Sequence, residues 1–438
     1  MHVNRVSRAR SRGALLAAAA LLGSVGAATG PASAAPADAP SAAKAAPPRS
    51  DCSDAFRIQQ TLDGGTTWRM CWRYDTDSGL ILDKVTYQPK GEPRPIRVIN
   101  TAKLAQIHVP YDDGGAEYDD LTGAGFGWGL QNLKGGECPG GTVKKVKVPE
   151  AGYVNGLCTT TRSRGHAYRL ANDEGTKVWQ SQGKDLLLYT VNKVAWYEYI
   201  TEWRFSSDGT IAANVGATGS LAPDDYNGTD GRGWPIGKGA RDYATSHSHN
   251  VFWRLDFGLD GSNKGRIEQY DSKVTAPTGN GSPKVRTTRT PVTKELAGDA
   301  RTMRWWRVVS ERGKNKDGHP RSYEIVPGTS AKHAGRGFTK HDIFFTQNRA
   351  CEQFASNNIR DCGRNTPDSV DKWVNGENLT NPVVWVNIGF HHIARDEDQQ
   401  PMPVHWQGFQ LAPRDVTAMN PLTPADLADQ NGKHNHGS

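Results

Sequence analysis

A chain of 438 residues is long enough for two or three average domains, or for one large β domain with an appendage. Its formal net charge of +7 includes Arg5, Arg8, Arg10 and Arg12 near the N-terminus, which leaves the remainder near +3. That excess is too small to argue for nucleic acid, and no aromatic-and-basic recognition motif supports such a partner. No segment is apolar over enough residues to be a good membrane span.

The four arginines precede the apolar run Gly13-Ala14-Leu15-Leu16-Ala17-Ala18-Ala19-Ala20-Leu21-Leu22, and Ala32-Ser33-Ala34 supplies an A-x-A cleavage site. This is the pattern of a secretory signal peptide over residues 1–34, so a secreted, extracellular protein is expected. Residues 35–51 are Ala/Pro-rich and read as a linker. Residues 52–420 read as a single domain and residues 421–438 as a polar tail, whose His434 and His436 are expected to have no metal role. Six cysteines in an exported chain suggest disulfides. Neighbourhood alone favours Cys52–Cys71, Cys138–Cys158 and Cys351–Cys362, while other connectivities stay open.

From Cys52 onward, short alternating runs are separated by Gly, Asp-Gly and Pro, which predicts a mainly β, antiparallel protein. Thr66–Tyr74 and Leu80–Tyr87 are two such runs, and long amphipathic helices are scarce. Val109-Pro110-Tyr111-Asp112-Asp113 and Glu117-Tyr118-Asp119-Asp120 then read as a solvated loop. In Tyr197–Phe205, alternation puts Tyr197, Tyr199, Thr201, Trp203 and Phe205 on one face, and Ser207-Asp208-Gly209 predicts a hairpin turn. Residues 220–245 read as a long loop rich in Gly, Pro and Asp.

That loop feeds into Ser246–Asp256. On a strand, His247 and His249 point the same way, beside Val251, Trp253 and Leu255. Two imidazoles one pleat apart form half of a metal site, since neutral imidazole binds copper, zinc, nickel or iron well. Another hairpin is predicted at Lys314–Gly318. In Val383–Arg395, alternation groups His392 with Val384, Val386, Ile388 and Phe390, the more apolar face, so a buried third ligand should be His392 and not His391.

Taken together, these landmarks resemble the copper amine oxidases, specifically their large C-terminal catalytic β-sandwich. The family's tyrosine strand is matched by Tyr197-Glu198-Tyr199, its H-x-H pair by His247 and His249, and its later G-x-x-H by Gly389-Phe390-His391-His392. Arg254-Leu255-Asp256-Phe257-Gly258-Leu259-Asp260-Gly261 is similar to the family's R-L-D-M-x-x-D-G, and Met402-Pro403-Val404 to its M-P-V. Trp306–Val309 and Lys316–Tyr323 also match, and Cys138 with Cys158 fits the family's domain disulfide. The resemblance covers roughly residues 60–415 and implies a catalytic domain alone, without the smaller N-terminal domains common in relatives.

The resemblance implies roles residue by residue. His247, His249 and His392 would hold copper(II). Tyr197 would be the precursor of topaquinone, a quinone that supplies a carbonyl for a primary amine. Asp120, in Tyr118-Asp119-Asp120, would be the base that removes a proton from the amine's α-carbon, with Asp119 as the alternative. Tyr118 would stand at a gate, and Tyr111 would hydrogen-bond the quinone oxygen. The partners implied are a primary amine and dioxygen, in a homodimer. The approach loop from Tyr111 to Asp120 is shorter than in relatives, which suggests an open pocket for bulky or polymer-bound amines.

The chain departs from the family at several positions. Trp196 replaces an asparagine and Lys193 a threonine. Gly258 and Asn381 replace carboxylates of a second, calcium-type site, so calcium is expected to be held poorly or not at all. Two alternatives follow: a catalytically inactive, copper-binding relative in which Trp196 blocks quinone formation, and a metal-free carbohydrate-binding β-sandwich.

Overall fold

The computed structural model describes residues 52–222, 233–276, 281–363 and 365–429. The leader, the linker, and His434 and His436 lie outside the described residues. Two large antiparallel sheets dominate. In the first, strands run in the order Arg57–Thr61, Thr67–Asp75, Gly79–Gln88, Ile96–Pro110, His247–Phe257, Pro382–His392, Ile343–Gln347 and Leu296–Gly298. The second has ten strands, with Pro320–Val326, Met402–Arg414, Ile211–Gly219, Tyr197–Ser206 and Val178–Val194 as consecutive neighbours at its middle.

The expected periodicities set this architecture. Tyr197, Tyr199, Thr201, Trp203 and Phe205 are all buried, while alternate positions such as Glu198 and Arg204 are only partly so. At Ser207-Asp208-Gly209 the chain reverses into the next strand. Gly209 sits at φ +96°, and the Tyr87 ring lies 2.9 Å from where a Cβ would be, so only glycine fits this turn without strain. The turn is also tied across the sandwich. Trp68 Nε1 donates to the Ser206 carbonyl (2.9 Å) and Thr66 Oγ1 to the Ser207 carbonyl (2.7 Å), so buried polar groups are met where the sheets touch.

The His247–Phe257 strand is central in its sheet and buried on both faces. Val251, Trp253 and Leu255 enter the core between the sheets, where the Trp253 ring packs edge-on against Trp203 of the opposite sheet at 5.0 Å. Truncating Trp253 to Ala should cost roughly 3–5 kcal/mol. Phe252 faces the other way, into a second cluster with Phe344, Trp373 and Trp385 under the short helix Val370–Trp373.

The three disulfides are Cys52–Cys71, Cys138–Cys158 and Cys351–Cys362, the pairs that neighbourhood favours. Three local expectations need correction. Glu117–Asp119 is a short strand paired with His108–Pro110, not simply solvated loop. The stretch before the histidines contains a two-stranded hairpin, Gly233–Ile236 with Asp242–Thr245. The tail is docked where it is described: Asp426 pairs with Lys177 Nζ (2.8 Å) and accepts from Trp179 Nε1 (2.9 Å). Among the described residues, no helix is long and apolar enough to cross a membrane.

Candidate active site

Antiparallel register builds the histidine cluster. His247 lies directly opposite His392, and His249 is one pleat further along on the same face. The rings come together, with centroids 4.9 Å apart for His247–His392 and 5.0 Å for His247–His249. All three are buried, and each offers a ring nitrogen within 4.8 Å of the other two. His391 points to the opposite face, exposed, and pairs with Asp112 at 2.7 Å. Of the two, His392 is the buried one, on the face where alternation groups it with the apolar residues.

The outward nitrogens of two rings have assigned partners. His247 Nδ1 faces the Thr245 carbonyl at 3.3 Å, and a carbonyl only accepts, so that nitrogen carries the proton. His392 Nε2 faces Asp398 Oδ2 at 2.9 Å and donates to it in the same way. The lone pairs left over are His247 Nε2 and His392 Nδ1, and both point at the Tyr197 hydroxyl, at 2.8 and 2.9 Å. One hydroxyl proton serves one of them. His249 Nδ1 lies 3.3 Å from the Tyr199 hydroxyl, while its buried Nε2 has no hydrogen-bond partner. Burial holds all three imidazoles neutral at neutral pH: His247 is pushed down to about 3, by desolvation first and by His392 second, and His249 and His392 are also lowered. Three neutral ring nitrogens converging with too few protons to satisfy them fit a metal ion, and an imidazole set suits copper(II).

Tyr197 reaches this cluster from the opposite sheet, as the first residue of its strand. Beside it opens a cavity of about 430 Å³ lined by Asp120, Tyr111, Tyr118, Trp196, Tyr197 and Tyr199, among others. The two candidate bases separate here. Asp119 accepts from Ser356 Oγ (2.8 Å) and sits 3.0 Å from His108 Nδ1, on the wall. Asp120 lines the same cavity next to Tyr199, and burial pushes its carboxyl up to about 7 against the opposing hydrogen bond from Tyr199. Glu117 is engaged by Arg336 (2.9 Å) and His108 (2.8 Å).

Tyr111 stacks on His247 with centroids 4.6 Å apart. Its hydroxyl accepts from Trp196 Nε1 at 3.3 Å, so the indole lies against Tyr111 at the cavity wall. Trp196 occupies a tight two-residue turn with Ala195, whose φ is +51°, between the paired residues Val194 and Tyr197. Tyr118, 44% exposed, stands at the mouth with its ring edge-on to Tyr111 at 5.9 Å. At the second-metal position, the Asp256 carboxylate takes amide hydrogens from Asn348 (3.2 Å) and Asn100 (3.5 Å), and Asn100 fills the space a side chain at Gly258 would need.

Sequence reasoning missed Asp398 and His405. Asp398 is fully buried, orients His392, and also meets His405 Nε2 at 3.1 Å. Its only signal in the sequence was a carboxylate a few residues beyond a histidine ligand, which many surface loops share.

Comparison with known proteins agrees with this geometry. A family profile described as "Copper amine oxidase, enzyme domain" matches residues 66–431. The primary amine oxidase of Arthrobacter sp. (strain P1) is 25% identical over 394 residues, covering 81% of this chain and 58% of that protein. The histamine oxidase of Arthrobacter globiformis is 26% identical, covering 82% of this chain and 57% of that protein. The chain thus spans less than two thirds of the length of these relatives. Among solved structures, a copper-containing benzylamine oxidase from Hansenula polymorpha superposes with a TM-score of 0.70 at 23% identity, covering 83% of this chain and 62% of that one. An Aspergillus nidulans amine oxidase gives 0.70 at 19%, covering 89% and 56%, and these two similarities bear on the fold. With the profile match spanning most of the chain, this protein belongs to the copper amine oxidase family.

Proposed function

We propose that this chain is a secreted, copper- and topaquinone-dependent primary-amine oxidase that converts an amine, dioxygen and water to an aldehyde, ammonia and hydrogen peroxide. The observation that carries the reading is the convergence of ring nitrogens of His247, His249 and His392 within 4.8 Å of one another, two of them on the Tyr197 hydroxyl. His247, His249 and His392 would hold copper(II), and Tyr197 would become the quinone. Copper with dioxygen supplies the oxidation of the tyrosine ring, and the quinone supplies an electrophilic carbonyl and a sink for two electrons.

The chain's own residues do the remaining work. Asp120 takes the α-carbon proton on its carboxylate, a role suited to a base whose affinity for protons burial has raised toward neutrality. The Tyr111 hydroxyl, held by the Trp196 N–H, would orient the ring at position 197 by hydrogen bonding to it. Tyr118 guards the mouth. Asp398 keeps His392 in one tautomer and one orientation. Because Trp196 packs toward Tyr111 and does not cap the Tyr197 hydroxyl, nothing in its placement favours the inactive alternative.

Secretion is supported by three disulfides, which persist in oxidising compartments. A homodimer is supported by the hairpin Gly265–Ala276 with Lys284–Val292, whose second strand is exposed along nearly its whole length, as an arm awaiting a partner is. The test of function is a visible spectrum of the purified chain after copper(II) is added in air, followed by phenylhydrazine. A broad quinone band that converts to an intense hydrazone band, and is absent in Tyr197→Phe, supports the oxidase. A copper-replete protein without that band refutes it.

A further inference from the structure

The cavity beside Tyr197 has one aromatic side, and each carboxylate on its lining already has a task. Trp196, Tyr118 and Tyr111 form a continuous run of edge-to-face rings, with Tyr118 to Trp196 at 6.3 Å and Tyr111 to Tyr118 at 5.9 Å. Such a run offers quadrupole edges and faces to a planar apolar group. The acidic residues nearby are not equally available. Glu117 is neutralised by Arg336 and His108, and Asp119 is engaged by His108 and Ser356. Asp120, on the same lining beside Tyr199, is the base of the proposed reaction.

We propose that Trp196 and Tyr118 make the cavity selective for arylalkyl monoamines over diamines and polyamines. The inference rests on the oxidase reading above and deepens it by naming the substrate class. An aryl group replaces water along the Trp196–Tyr118 wall, whereas the distal ammonium of a diamine would be desolvated there with no uncommitted carboxylate to receive it. Trp196 is thus a specificity-determining residue. Its indole holds the wall upright through the Tyr111 hydroxyl and the tight turn at Ala195, so the wall is rigid before substrate arrives.

The test pairs turnover with binding. Steady-state kinetics of the copper-loaded, air-oxidised protein compare benzylamine, butylamine and 1,4-diaminobutane. Benzylamine should exceed the diamine at least tenfold in kcat/KM. Trp196→Ala should cut that ratio roughly tenfold, through KM for benzylamine and not through a loss common to all amines. Tyr118→Ala removes a half-exposed ring that the fold does not need, and should lower the ratio in the same sense. Calorimetric titration of the full copper-free chain, with Tyr197 unmodified, should rank benzylamine above butylamine, with the difference lost in Trp196→Ala. Equal or better use of the diamine, or a ratio unchanged in both folded variants, overturns the inference while leaving the oxidase intact. If no amine is turned over, the oxidase reading fails; Trp196-dependent binding of benzylamine would then still uphold the aromatic wall, and equal binding would sink both.

Discussion

His247 and Asp256 stand near opposite ends of one buried strand, and the two ends handle their polar atoms in opposite ways. At the histidine end, two ring nitrogens share one hydroxyl, that of Tyr197, and His249 Nε2 is buried with no partner. At the aspartate end, both carboxylate oxygens meet amide hydrogens from Asn100 and Asn348. An unpaired buried acceptor costs on the order of 1–3 kcal/mol, so a fold keeps several together only where something outside the chain meets them. The same contrast separates two carboxylates: partly buried Asp256 is tied to side-chain amides, while buried Asp120 opens onto a cavity. A metal or catalytic site is marked by convergent groups the protein leaves unmet, more than by the number of charges.

The largest effect that can break this comparison is at a ligand. His249→Ala should lower copper affinity by at least two orders of magnitude, beyond the roughly 10–100-fold typical of a residue behind a ligand. Equilibrium dialysis with metal analysis would check this, and amine oxidation should vanish with the copper. Retention of one tightly bound copper would mean that the unpaired His249 nitrogen is not a ligand.

Next comes Asp120→Asn, expected to reduce kcat/KM by roughly 10²–10⁴-fold while copper content and the quinone band stay intact. The wild type should gain activity as pH rises through about 7, because the base must shed its proton first, and the variant should lose that limb. The sign for stability is reversed. A carboxyl with its folded pKa above the unfolded value is stabilising below the unfolded value, and that stability is lost as pH climbs from about 4 through about 7. Thermal melts of Asp120→Asn should therefore decline less than the wild type over that window. If Asp119→Asn matches Asp120→Asn in both readouts, the contrast between an engaged and a buried, raised carboxyl fails.

Alternation in the sequence revealed the faces: His247 with His249, His392 in preference to His391, and the aromatic stripe from Tyr197 to Phe205. Turn chemistry revealed the reversals at Asp208-Gly209 and at Asp317-Gly318, because those turns demand local residue types. What alternation cannot give is the partner. Tyr197 and His392 are 195 positions apart and come from different sheets, so their contact depends on how the sheets stack. The family resemblance supplied that pairing. Asp398 and the strand Glu117–Asp119 escaped both routes, since a short acidic segment looks like solvated loop until its donors are placed around it. Trp196 shows the limit of reading a substitution by size. A bulky indole beside Tyr197 suggested a block, but the turn at Ala195 sends it along the wall toward Tyr111.

Asp398→Asn sharpens the histidine end. His392 keeps its place in the register but loses the charged acceptor for Nε2–H, so copper affinity should fall roughly 10–100-fold without abolishing binding. Dialysis against a graded copper buffer would read this. An unchanged affinity would show that backbone register alone orients the ring.

Asp256→Asn should have the smallest effect on copper. The substitution keeps the shape but points an amide NH₂ at the amide groups of Asn100 and Asn348, so a loss of about 1–3 kcal/mol in stability is expected from the mismatched donors. Arg254, buried on the same strand, also loses a nearby negative charge, which adds to the loss. Copper stoichiometry should remain that of the wild type, because nothing at this end touches the imidazoles. Calcium supplies the decisive comparison, since it takes 6–8 oxygen ligands and here would have to displace two amide donors from one carboxylate. Adding millimolar calcium to the wild type, or removing it with a chelator, should leave the melting temperature unchanged. A calcium-dependent rise that disappears in Asp256→Asn would mean that the aspartate end also waits for an ion, and that donors within hydrogen-bond reach are no guide to which end of the strand binds metal.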